Sequence, residues 1–310
     1  MRRGMTTAPP TAHRHHNVRG IVLRCLSVIC FALMSASMKW ASEDGVNAIE
    51  MLFFRSTIGM PVVLAWLALG PGIARIRTQR PRAHLIRSMI GISGILMNFE
   101  ALIMLPLADA VTIGFTAPIF ATMLSALFLS EKVGAHRWGA VIIGFIGVAI
   151  VVRPGGEALA HLGITAAIGG AIGTAAVTVT IRQLGNTEHP GAIVFWFFTA
   201  SAIVSGAGMI FFGHAHTPMT WLLLVSGGIA GAGAQILMTM SLRSAPVSVV
   251  APFDYTQILW ATLLGWAIWA VAPTLNTLAG AALISASGLY IAFREHRLRR
   301  ITVAATPPLE

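Results

Sequence analysis

The sequence predicts an all-α membrane protein of ten spanning helices, and three observations carry that reading. Of its 310 residues 56% are hydrophobic and only 10% are charged, too few to clothe a soluble body of this length. Ten runs of about 20 apolar residues follow one another, each long enough to cross a hydrocarbon layer roughly 30 Å thick. The breaks between them are short, so consecutive helices are antiparallel neighbours without soluble domains between them.

In chain order the runs cover 20–40, 47–69, 85–105, 108–130, 135–153, 161–182, 190–212, 219–242, 246–270 and 274–293. Nine spans follow the first run and no soluble body remains to be exported, so it reads as a retained helix rather than a signal peptide. The longest connection, 70–84, is rich in Arg. Placing the N-terminus in the cytoplasm puts 17 of the 21 Lys and Arg residues in cytoplasmic segments and only Lys39 and Arg153 outside, with Arg24 and Arg55 within spans. Basic residues near helix ends stay on the cytoplasmic side. The expected protein is therefore a multi-pass inner-membrane protein with both termini cytoplasmic, 1–19 forming a disordered tail and 296–310 a second tail. The net charge of +10 serves orientation, since the basic residues lie in short clusters between apolar runs rather than on a domain that would grip nucleic acid. Cys25 and Cys30 lie five apart in the first run, a spacing that suits neither a disulfide framework nor a CxxC pair.

The halves resemble one another. Ala110 to Ile150 and Val247 to Ala292 each place a polar or Pro residue in mid-helix, then an Ala/Thr/Leu-rich exit, a short link and a Gly-punctuated helix. This is the trace of duplication common in carriers. Five spans per half is an odd number, so repeats at 20–153 and 154–295 must be inverted relative to one another.

Certain stretches point further: LPLADAVTIGFTAPIF at Leu105 to Phe120, LFLSEKVGAHRWGAVIIGFIGVAIVVRPG at Leu127 to Gly155, and YTQILWATLLGW followed by LAGAALISASGLYIAFRE. With ten spans in a five-plus-five arrangement they resemble the EamA-type families of the drug/metabolite transporter superfamily over roughly residues 20–295. In the second half Gln257 stands opposite Pro118 and Ala270 opposite Glu131, where the family often repeats its Pro and its helix-end Glu, so the halves have diverged. The resemblance implies a basket of helices around a central cavity that opens alternately to each side. Relatives of this kind include riboflavin importers, S-adenosylmethionine carriers and exporters of amino acids or drugs.

Ionisable groups within a span cost roughly 2.5–3.5 kcal/mol on insertion scales and so usually face a cavity or a partner. Arg55 and Glu100 fall within roughly 5 Å of the same depth on the second and third spans and form a plausible ion pair. The pair either lines the cavity, as a gate or cargo contact, or clasps adjacent helices, and Glu100 is with Asp254 a candidate for proton exchange. Asp254 lies near mid-membrane on the ninth span, with Gln235 at similar depth on the eighth. It reads as a proton or cation site, with Tyr255, Gln257 and Trp260 supplying hydrogen bonds and a flat aromatic wall; the alternative is an Asp bonded to a neighbouring helix. Gln257 at i+3 shares its face, whereas Tyr255 does not. Pro118 marks a hinge or a simple kink. The Gly-rich runs read first as close helix packing, Glu131 and Lys132 as a helix-end pair, and Trp40, Trp66, Trp138, Trp221 and Trp269 as an aromatic belt.

All ten His residues fall in tails or near connections, and no Walker motif occurs. The sequence therefore predicts no catalytic residue, no metal site, no cofactor and no ATP site. The expected partners are a small-molecule solute and the lipid bilayer, the protein being a monomer or homodimer. A secondary carrier leads. A non-transporting membrane sensor or assembly protein would usually bring a soluble domain, which the chain lacks, and a passive channel a filter or a ring of like charges.

Overall fold

The computed structural model describes residues 10–128, 135–152, 158–185, 187–245 and 247–304, and all regular structure among them is helical. The helices are α1 (Pro10–Glu43), α2 (Ala48–Leu69), α3 (Pro81–Met104), α4 (Leu107–Gly114), α5 (Ala117–Phe128), α6 (Ala135–Val152), α7 (Ala158–Gly185), α8 (Pro190–Phe212), α9 (Pro218–Ser244), α10 (Val247–Val250), α11 (Thr256–Trp269) and α12 (Leu275–Ala304). A 3₁₀ turn, Ile73–Ile76, lies in the Arg-rich connection, and another, Ala251–Tyr255, joins α10 to α11. Seven described helical stretches are long and apolar enough to cross a membrane, while Trp138–Val152 and Leu275–Ile291 are shorter apolar stretches.

Ten spans thus appear where the hydropathy places them, with two corrections. The fourth is α4 followed by α5, interrupted at Phe115 and Thr116, and the ninth is α10, the 3₁₀ turn and α11. Hydropathy averages over a window of residues and does not register where a helix is interrupted within it. The first helix also starts at Pro10, ten residues before the apolar run.

Local chemistry fixes many of the ends. Asn47 caps α2: its side chain accepts from the amides of Ile49 and Glu50, and Glu50 answers by accepting from the Asn47 amide, a reciprocal box that satisfies helix-end donors. Pro81, Pro190 and Pro218 open α3, α8 and α9, where the missing N–H costs nothing. At the start of α9 the Thr217 and Thr220 hydroxyls bond at 2.8 Å and Thr220 donates to Asp44; at the start of α12 Thr274 and Thr277 repeat this at 2.9 Å, and Thr277 donates to Asp109.

Small residues set the packing. A Cβ on Gly173 of α7 would stand 2.6 Å from the Gly94 Cα of α3, and one on Gly163 would stand 2.8 Å from Leu105. The sequence positions run in opposite senses, so the two helices are antiparallel with backbones in contact along α3. Gly20 against Ala245, and Gly227 against the Met38 side chain, bring α1 and α9 close together. In lipid such approach gains dispersion contact where no hydrophobic effect separates helix from acyl chain. With each broken span numbered as one, the main partners are 1 with 8, 3 with 6, 2 with 7, 5 with 10, 2 with 8, 3 with 7, 4 with 6, 9 with 1 and 4 with 9. Exchanging each span for the one five places away leaves this list unchanged.

Gly173→Val should drive a branched side chain into the α3 backbone, costing about 1–3 kcal/mol and lowering the melting temperature in detergent. Gly233→Ala, whose Cβ would meet nothing within 4 Å, should leave it unchanged.

Candidate functional site

The two interruptions lie at matching places in the two halves, and they touch. At the first, the Phe115 amide still finds the carbonyls of Val111 and Thr112 at 3.2 Å, the Thr116 amide reaches Ile113 at 3.0 Å, and the Thr116 hydroxyl donates to that same carbonyl at 2.7 Å. At the second, Pro252 sits in the first turn of the 3₁₀ segment and the Thr256 hydroxyl donates to the Phe253 carbonyl at 2.6 Å. Tight turns and hydroxyls thus replace helical bonds that lipid could not replace. The Phe115 and Tyr255 rings meet at a centroid distance of 5.1 Å. Tyr255 reaches on to α12, where its hydroxyl occupies the space a side chain at Gly288 would fill.

Asp254, within the second interruption, is joined by both carboxylate oxygens to the Arg24 guanidinium of α1. Two parallel charge-assisted bonds fix position as well as charge. Arg24 was missed as a site residue, although it is a cation inside the first span and such a residue demands a partner. Gln235, Gln257 and Trp260 are half-buried, and among the described residues their side chains make no hydrogen bond. Pro118 is exposed at the second position of α5, so it follows the interruption instead of kinking a continuous helix. An open apolar cavity of about 670 Å³ lies between α11 and α12, with Tyr255, Thr262, Trp266 and Ser285 on its wall.

The expected pairing of Arg55 with Glu100 is absent. Arg55 is 4% exposed, its guanidinium lies 5.4 Å from the Phe198 ring centre on α8, and its Nε abuts Gly231 of α9. Glu100 makes no ion pair or hydrogen bond among the described residues. Depth leaves the rotation of each helix open, and Arg55 faces α8 and α9. Arg87 of α3, 6% exposed, stacks 4.1 Å from the Phe197 ring centre. Nε and Nη1 of both arginines are buried without a hydrogen-bond partner. Cation–π contact returns about 0.5–2 kcal/mol, less than the several kcal/mol an unpaired buried charge costs.

Two acid–histidine pairs tie down the ends of the bundle. At one, fully buried Glu50 accepts from the His214 amide at 2.8 Å and lies 3.0 Å from His216 Nε2. At the other, Glu188 lies 3.4 Å from His84 and accepts from the Gln79 amide at 3.2 Å. Each pair joins the entrance of span 2 or 7 to that of span 8 or 3, so the same exchange of halves relates them. Burial alone would raise the Glu188 carboxyl, but the Gln79 amide and the neighbouring Thr78 and His84 side chains hold it below the ordinary carboxylate value. The Glu50 end carries further ties: Lys39 donates to the Leu102 and Leu105 carbonyls at 2.8 and 2.7 Å, lies 5.9 Å from the Trp269 ring centre, and Trp269 donates to Glu43. Among the described residues no cluster of three or more His, Cys, Asp or Glu could hold a metal. Glu131 and Lys132 lie outside the described residues.

The EamA-like transporter family matches residues 18–153 and 161–293. The pseudopaline exporter CntI of Pseudomonas aeruginosa strain UCBPP-PA14 is 30% identical over 86% of this chain and 93% of its own. A riboflavin transporter of Vibrio cholerae is 26% identical over 90% and 94%, and an S-adenosylmethionine uptake transporter of Rickettsia bellii 24% identical over 81% and 86%. A solved crystal structure superposes with a TM-score of 0.62 at 21% identity, covering 89% of this chain and 98% of that one, which shows a common fold.

Arg24→Gln or Asp254→Asn alone should strand a charge and destabilise by about 2 kcal/mol, the pair being only partly buried. The double substitution should recover most of the lost melting temperature; additive losses would show the two are not coupled. Since the folded Glu188 carboxyl sits below its ordinary value of 4.5, its contribution is present above that pH and lost as pH falls through the folded value. The melting-temperature gap between wild type and Glu188→Gln should therefore be widest at neutral pH and close in acid.

Proposed function

Because the chain belongs to the EamA-like transporter family, we propose that it is a secondary carrier moving a small organic solute across the inner membrane by alternating access, with cargo bound where the two broken spans face one another. The observation that carries this is the contact of the two interruptions through Phe115 and Tyr255. Discontinuous spans in corresponding positions of two halves are the form in which carriers expose backbone and polar groups at mid-membrane without exposing them to lipid.

In this reading residues 20–153 and 154–295 are inverted halves, and the symmetric list of packing partners supports them. The end of the bundle holding Glu188 is cytoplasmic, since exposed Arg75, Arg77, Arg80 and Arg82 gather beside it and basic residues are retained on that side. Both termini then lie in the cytoplasm. The bonds of Lys39, Trp269, Asp44 and Glu50 seal the opposite, outer end.

Asp254 is the coupling group. It exchanges Arg24 for a proton or for a cationic part of the cargo, and the released guanidinium frees α1 from the ninth span. Tyr255 and Trp260 offer flat apolar faces, Gln235 and Gln257 supply unused hydrogen-bonding groups, and Pro118 allows the fourth span to bend at its interruption. A flat, nitrogen-containing metabolite fits this wall, in the range spanned by the relatives named for riboflavin and S-adenosylmethionine. One coupled proton gains about 2.3 kcal/mol per 100 mV, enough for useful accumulation. A sensor or assembly role finds no support among relatives named as transporters and exporters.

The test is counterflow in proteoliposomes of the purified protein, with labelled riboflavin, S-adenosylmethionine and amino acids, with and without a pH gradient. Saturable counterflow with one cargo is expected, lost at least tenfold in Asp254→Asn and retained in part in Asp254→Glu. Wild-type rates in Asp254→Asn would remove Asp254 from the mechanism, and cargo flux that saturates without counterflow would make the protein a channel.

A further inference from the structure

We infer that Arg55 and Arg87 together form a binding site for an oxyanion, a carboxylate or phosphate group, at the crossing of α2, α3 and α8. Both guanidiniums are almost wholly buried, at 4% and 6% exposure. They lie over adjacent rings of one helix, Phe198 at 5.4 Å and Phe197 at 4.1 Å, and those two ring centres are 6.1 Å apart. Each leaves Nε and Nη1 buried with no hydrogen-bond partner, and the hydroxyls of Ser56 on α2 and Ser201 on α8 are in the same condition.

These buried polar groups can all donate, and the acceptor is missing. Among the described residues none supplies it. Glu50, on the same helix as Arg55, is committed to Asn47, His214 and His216. Glu188 is committed to Gln79 and His84, and Glu100 pairs with neither arginine. A guanidinium presents its N–H groups as a rigid fork that matches carboxylate and phosphate, and stacking on an aromatic ring leaves that fork's edge free. Two such forks, paired with no described carboxylate in a medium of low dielectric, are complemented in charge and in geometry by an anion with at least two acceptor oxygens.

The site is distinct from Asp254, whose charge is already answered by Arg24, and it does not rest on the cargo assignment above. The ring faces of Phe197 and Phe198 hold the cations in place before any ligand arrives. Gly91, where an added side chain would press on Phe197 and on Arg87 itself, leaves the room they need.

The experiment is thermal unfolding of the full chain in detergent, followed by tryptophan fluorescence, at constant ionic strength with chloride exchanged stepwise for phosphate or acetate. A parallel arm compares nanodiscs of phosphatidylcholine with and without phosphatidylglycerol. Wild type should gain at least about 3 °C in a saturable manner, while Arg87→Gln and Arg55→Gln gain less than a third of that. Arg87→Lys, which keeps the charge and loses the fork, should fall between them. A rise with phosphate or acetate assigns a soluble oxyanion, and a rise with phosphatidylglycerol alone assigns a lipid headgroup. No rise in any arm, or an equal rise in the Gln variants, overturns the site. Neither result touches counterflow, so this inference and the carrier reading fail separately.

Discussion

A peptide group that leaves the helical ladder inside a bilayer must find its hydrogen bond within the protein, and most of this architecture follows from meeting that constraint twice. The chain interrupts a span at Phe115 and Thr116 and again at Ala251–Tyr255. Turn bonds and the hydroxyls of Thr116 and Thr256 satisfy the backbone, while the interruptions shield one another through Phe115 and Tyr255. Helices on all sides must then come close enough to exclude lipid, and the glycines of α7, α9 and α12 let them.

The same seclusion sorts the charges into three kinds. Arg24 and Asp254 are neutralised as a bidentate pair beside an interruption, where a swap of partner can be felt by two spans at once. Glu50 and Glu188 sit at opposite ends, each held by backbone amides and a histidine, and fasten helix entrances from different halves. Arg55 and Arg87 are held only by aromatic faces. Pairing, fastening and stacking on rings thus occupy different regions of one bundle.

Much of the fold was legible from the lengths of the apolar runs, because hydrocarbon thickness is a coarse constraint that any multi-span chain must obey. What hydropathy passed over was the division of the fourth and ninth spans. Pro118 marked the first within three residues, and Pro252 stood in the second unread. At the site, burial cost drew attention to Arg55 and Asp254, since a charge in a span needs a partner or a cavity. Partner choice was another matter. It depends on how each helix is turned about its axis, which a nearly uniform apolar surface does not record, so Asp254 went to Arg24 and Arg55 turned away from Glu100. The acid–histidine pairs escaped notice because they join connections distant in sequence, and no periodicity links such positions.

The close pairing of α1 with α9 has a consequence for the order in which the chain is made. The Ser27 hydroxyl bonds the Ala234 carbonyl, and Ser241 bonds that of Gly20, across separations of 207 and 221 residues. At translation rates of about 5–20 residues per second, roughly 10–40 s pass between the emergence of one face and that of its mate. During that interval the small-residue seam of α1 lies open to lipid or to another helix. The last helices inserted therefore close the structure, and a truncated chain ending before α9 presents the insertion and quality-control machinery with an unmated first helix.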